Sequence, residues 1–114
     1  MNIDFKYFNE VTSGDKNIMI EFIQIFEEQI PEFVNAFKNA LQANDYNKIA
    51  SIAHKAKSTV AVFGMKKWED EFKNIQIKIQ NKIIPDNLNL LILHFEKDAI
   101  ETLKFFKNYV EKID

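Results

Sequence analysis

The stretch AHKAKSTVAVFG, residues 53–64, sets a histidine one residue before a lysine and three before another. A neutral imidazole carries a free lone pair near neutral pH, so it can serve as nucleophile, base or metal ligand. The lysines bear on where that ring sits. A buried core histidine would not be set beside two ammonium groups, those of Lys55 and Lys57.

A metal site fits less well. Di-iron bundles place Glu-x-x-His on facing helices, but Ser51 stands three residues before His54 and Leu91 three before His94. The chain has no cysteine, which removes thiolate ligands, disulfides and cysteine nucleophiles. No metal or other cofactor is expected in this chain.

The direction in which His54 points decides whether that chemistry is available. Residues 46–63 place Ile49, Ile52, Ala53, Ala56, Val60 and Phe63 on one face of a helix. At about 100° per residue, His54 falls about 140° from the centre of that stripe, on the solvent side. Lys57 and Ala61 follow on the same flank, with Ser58 beside them. An outward histidine among solvated lysines is also what an ordinary helix surface offers, and the pattern alone leaves both readings open.

The rest of the chain has to hold this helix in place. Two glycines and two prolines punctuate 114 residues, and no run alternates with period two, which argues for helices throughout. A short turn or helix surrounds Phe5 to Phe8. Asp15 of the SGD triplet is placed to N-cap a long helix carrying Ile18, Phe22, Ile25, Phe26, Phe33, Phe37 and Ala40. Pro31 predicts a kink or a break within it. Residues 43–45, AND, open the histidine helix, and Gly64 closes it as a left-handed cap. Met65, Trp68, Phe72, Ile75 and Ile79 trace a third long helix. IPDN at 84–87 ends one helix and starts the last, marked by Leu88, Ile92, Phe95, Ala99, Leu103, Phe106 and Val110.

Four amphipathic helices with short connections predict an all-α fold, an antiparallel up-and-down four-helix bundle with a short extra N-terminal helix. Residues 1–114 are expected to form one domain. The eleven phenylalanines suit its core. No apolar stripe is expected to remain once the bundle closes, which favours a monomer.

Composition removes several function classes. The net charge is −2 and all fifteen basic residues are lysines, so neither a basic field nor a guanidinium fork is available for nucleic acid. The longest clean apolar run, LLIL at 90–93, is far short of the ~20 residues of a membrane span. The N-terminus has no apolar signal segment. A cytoplasmic, free-standing protein is the expectation.

AHKAKSTVAVFGM resembles the signature of histidine phosphotransfer (HPt) domains, the relay modules of two-component phosphorelays. Ala53, His54, Lys57, Ser58 and Gly64 fall on matching places, and Gln76, twenty-two positions beyond the histidine, stands where the family has a polar residue. The proline inside the preceding long helix is a further likeness. Departures are Ala56 for a larger apolar residue, Ser58 for the commoner glycine, Val62 where a polar residue is frequent, and the extra cation Lys55.

The resemblance implies a phosphoryl carrier with little catalysis of its own, not an enzyme that turns over. His54 would accept a phosphoryl group from the aspartyl phosphate of a response-regulator receiver domain and pass it to another, with a hybrid histidine kinase a further possible partner. Lys57 would stabilise the phosphoryl charge. Gln76 would accept from the imidazole Nδ1–H through its amide oxygen, so that Nε2 attacks. Lys55, Ser58 and Ala61 would form the receiver-docking surface, within a wider basic area of Lys48, Lys66 and Lys67. Mg²⁺ is expected in the receiver only. The alternative is a helical adaptor that binds a signalling partner through the same helix without phosphoryl chemistry.

Overall fold

The computed structural model describes residues 3–113, and it is all helical. A short α1 (Lys6–Val11) precedes four long helices: α2 (Lys16–Gln42), α3 (Tyr46–Val62), α4 (Lys66–Gln80) and α5 (Leu88–Glu111). The long helices run up and down as an antiparallel bundle of 49 × 21 × 21 Å. Around it, α3 packs against α4 and α2, and α2 packs against α5.

Local chemistry sets the helix ends. The Asp15 carboxylate accepts from the Asn17 and Ile18 amides at 2.9 and 3.2 Å, and Asp45 accepts from the Lys48 amide at 3.1 Å. Both satisfy first-turn N–H groups that no carbonyl can reach. Gly64, at φ +66°, stops α3 in the left-handed conformation. It also does more than stop the helix. A Cβ on Gly64 would lie 2.1 Å from the Asp4 carbonyl oxygen, so the N-terminal segment is seated against the bare glycine.

Of the kink or break expected at Pro31, the break is absent: α2 is one helix of 27 residues with Pro31 inside it. Pro31 is exposed, so the carbonyl that loses its donor can be hydrated and the helix continues. The inward stripe of α2 also differs from expectation. Met19, Ile23, Phe26, Ile30, Val34, Phe37 and Ala40 are buried, whereas Ile25 is 51% exposed. Phe22, Phe33 and Ile18 are half-buried. This helix is apolar over more than one face, so two stripes one residue apart fit the same period.

Phe8, Phe26, Phe37, Phe72, Phe95 and Phe106 are fully buried. At one end of the bundle Phe63 stacks on Phe26 at 4.1 Å and meets Phe106 edge-on at 5.0 Å. Phe5 and Phe8 bring α1 into this cluster, Phe5 stacking on Tyr109 at 4.4 Å. Further along, the Trp68 indole N–H donates to Asp98 at 2.9 Å, tying α4 to α5. The expectation that no apolar stripe is left over is not met. Leu90, Leu93, Ile100 and Phe105 of α5 are 43–53% exposed, because α5 carries apolar residues outside its buried face too.

Candidate functional site

His54 lies in the middle of α3 with its imidazole exposed, as the helical wheel requires. Its neighbours Ala53 and Ala56 are fully buried and fix the helix against the core. The ring is therefore presented by a rigid element. Lys55 and Ser58 are exposed beside it, and Lys57 and Ala61 are half-buried on the flank that faces α4.

Gln76 comes from α4, which runs antiparallel to α3, and its amide nitrogen is 3.1 Å from His54 Nδ1. The pairing is the expected one, but the expected end of the amide is reversed. With the amide nitrogen toward the ring, its N–H donates to Nδ1 in the tautomer whose ring proton is on Nε2. The two ends of a carboxamide have nearly the same size, and a half-turn about the last side-chain bond exchanges them. The same pair then holds the Nδ1–H tautomer, with the amide oxygen accepting.

The expected basic surface is smaller than the lysine positions imply. Lys66 is paired with Glu69 and Asp70 on its own helix at 3.8 and 3.3 Å. Lys67 lies 4.0 Å from Asp98 and over the Trp68 ring at 5.2 Å. Acids three and four residues on, together with α5, neutralise the start of α4. Lys48, Lys55 and Lys57 make no ion pair among the described residues, so the part of the expected basic surface left unpaired is its α3 part, which carries His54.

A groove of about 640 Å³ between α2 and α3 opens beside the imidazole. Phe33, Ala36 and Ile52 give it an apolar floor, and Gln29, Glu32 and Thr59 stand among its polar walls. The sequence reading missed the contribution of α2. Its signal was present in Phe22, Phe33 and Ala36, a second apolar line that does not fit the buried stripe. His94 is exposed on α5, across the bundle from this site. Among the described residues no group of acids and histidines is placed to hold a metal ion, and no helix is long and apolar enough to cross a membrane.

The model of the Hpt domain family matches residues 21–81, more than half of the chain. The chain belongs to the Hpt domain family. The match takes in nearly all of α2 and the whole of α3 and α4, the three helices that build the surroundings of His54. Neither the curated proteins nor the solved structures contain a match to the chain. Hpt domains are helical bundles that act in histidine phosphotransfer within two-component phosphorelays, alongside receiver domains and histidine kinases. The Gly64 contact gives this Hpt domain a physical reason for a glycine ten residues after the histidine: any side chain would push Asp4 away.

Proposed function

We propose that this chain is a phosphorelay intermediate in which His54 accepts a phosphoryl group from a receiver-domain aspartyl phosphate and hands it to a second receiver. The observation that carries the reading is an exposed imidazole on a buried-faced helix, held through Nδ1 by Gln76 of the next helix at 3.1 Å. Such an arrangement supplies position rather than acid–base power, and positioning with charge stabilisation is most of what phosphoryl transfer needs.

In the transfer, the Nε2 lone pair forms a bond to phosphorus while the bond from phosphorus to the aspartyl oxygen breaks. The carboxylate leaves with its electron pair. Attack by Nε2 requires the ring proton on Nδ1, which Gln76 holds when its amide oxygen faces the ring. Lys57, one turn beyond His54, stabilises the phosphoryl dianion. The return step is the same displacement by the aspartate of the second receiver. Mg²⁺ belongs to the receiver's acidic pocket, and this chain contributes no catalytic metal of its own. Exposed Ser58 and half-buried Ala61, with Lys55, leave the receiver's active-site edge free to close over the ring. On this reading the protein is a cytoplasmic carrier.

The test is label uptake from a panel of phosphorylated receiver domains of the source organism. Wild type should gain acid-labile, base-stable phosphate from at least one receiver, and His54→Gln should gain none while keeping its helicity and melting temperature. Uptake by His54→Gln would move the site elsewhere. No uptake by wild type from any receiver would leave the adaptor reading in its place.

A further inference from the structure

The groove beside His54 has walls of opposite charge, and neither wall is satisfied within the chain. On the α2 side the groove's carboxylate is Glu32, and the exposed Glu28 and Glu21 lie about one and three turns before it on the same line of the helix, outside the groove lining. Across the groove Lys48 and Lys55 of α3, seven residues apart, also share one line of their helix. None of these five forms an ion pair among the described residues, although Glu27 on the other side of α2 is paired with Lys107 of α5. Glu32, Lys48 and Lys55 line the same 640 Å³ groove, whose apolar floor keeps the two walls apart.

Facing helices with unpaired charges of opposite sign, separated by open space over apolar side chains, are complementary to an inserted element rather than to each other. An element of uniform charge would be attracted by one wall and repelled by the other. Like-charge juxtaposition across an interface costs more than a missing attraction, so such a groove discriminates between partners as well as binding them. Lys57 and Gln76 lie on the other flank of His54, toward α4. Discrimination and chemistry therefore occupy opposite sides of one imidazole.

We propose that Glu32 is a specificity-determining residue of this relay protein. Its receivers place a lysine or arginine against the Glu32 wall and an aspartate or glutamate against the wall of Lys48 and Lys55. The inference rests on the relay reading above and adds the charge pattern of the partner.

The experiment compares wild type, Glu32→Gln and Glu32→Lys with two phosphoryl donors. Phosphoramidate, a small donor that needs no docking, reports the nucleophile. Phosphorylated receiver domains of the source organism report docking. After normalisation to the phosphoramidate rate, Glu32→Lys should raise the KM for the preferred receiver about tenfold at low salt, with kcat changed less than about twofold. Glu32→Gln should fall between. In 0.5 M NaCl the three proteins should converge, because exposed charges are screened. Equal KM values at low salt would overturn the proposal while leaving the relay function standing. Phosphoramidate labelling of His54 with no receiver transferring to wild type would overturn the relay function, and the proposal with it. A dimer of wild type that Glu32→Lys dissociates would place a second copy in the groove and overturn the assignment to receivers.

Discussion

At its C-terminal end α3 enters a region where almost every group has a partner. Phe63 lies within 5.5 Å of the rings of Phe8, Phe26 and Phe106, and Gly64 is covered by the Asp4 backbone. Nearby, the Tyr109 hydroxyl donates to Asn9 at 3.0 Å, and Lys16 donates to the Ile113 carbonyl at 2.7 Å. Three turns earlier the same helix carries His54, Lys55 and Lys57; among the described residues neither lysine forms an ion pair, and the imidazole is hydrogen-bonded to Gln76. Both regions stand on one rigid rod. The first holds the fold together, and the second is left uncommitted for something outside the chain. Changes in the first region should therefore cost stability and spare phosphate uptake, and changes in the second should do the reverse.

The most severe way to break this contrast is Gly64→Ala. The new Cβ would meet Asp4 backbone atoms at 2.1 to 2.9 Å, and a left-handed non-glycine residue adds about 1 kcal/mol of its own. Relief requires moving the N-terminal segment, which draws Phe5 away from Phe106 and Tyr109. A loss of about 3 kcal/mol is expected, lowering the melting temperature by roughly 10 °C or more. Phosphate uptake measured well below that temperature should remain near the wild-type rate. A melting temperature within about 2 °C of wild type would mean that the segment around Asp4 is not anchored at Gly64.

The contrast also explains what could be read from the sequence. The stripes expected on α3, α4 and α5 each follow one helical period and coincide with the buried faces, apart from half-buried Ile79, although α5 also exposes apolar residues outside its stripe. His54 could be placed on the surface because the alanines around it leave no doubt about the inward face. On α2 the period was ambiguous. Phe22, Ile25 and Phe33 are as apolar as the core, yet they border the grooves beside α3, and hydropathy does not distinguish a buried ring from one awaiting a partner. The pairing of Lys66 with Glu69 and Asp70 follows from i,i+3 and i,i+4 spacing on α4, whereas that of Lys67 depends on Asp98 of α5 meeting it in space, which no local pattern shows. The seat of Asp4 on Gly64 joins residues sixty positions apart, and no local signal in the sequence announces it.

Lys57→Ala sharpens the comparison from the other side. Loss of one charge-assisted contact to the phosphoryl group, about 1.5 kcal/mol, should slow uptake from a receiver about tenfold. Stability should change by less than about 0.5 kcal/mol, since Lys57 has no ion-pair partner to lose. Chemical denaturation and label uptake on the same preparation check both values. A destabilisation of 2 kcal/mol or more, on the scale of a buried truncation, would assign the half-buried stem of Lys57 to the core and blur the division.

The smallest effect is expected at Gln76, where it discriminates most finely. Removing the side chain as Gln76→Ala deletes one hydrogen bond at a partly exposed site, about 0.5–1 kcal/mol, so uptake should slow about threefold with the fold intact. Gln76→Glu separates the two ends of the amide. A carboxylate only accepts, so it fixes the proton on Nδ1 and leaves the Nε2 lone pair outward. If the amide oxygen is the working end, Gln76→Glu should match or exceed wild type, and the ¹⁵N shifts of the ring should report a single Nδ1–H tautomer. If the donor end seen against Nδ1 is the working one, the carboxylate would instead suppress uptake below that of Gln76→Ala. Because a carboxylate also stabilises the imidazolium, the comparison is made where the ¹⁵N shifts show a neutral ring, and suppression that persists there would mean that the amide N–H, not the amide oxygen, is the working contact to Nδ1.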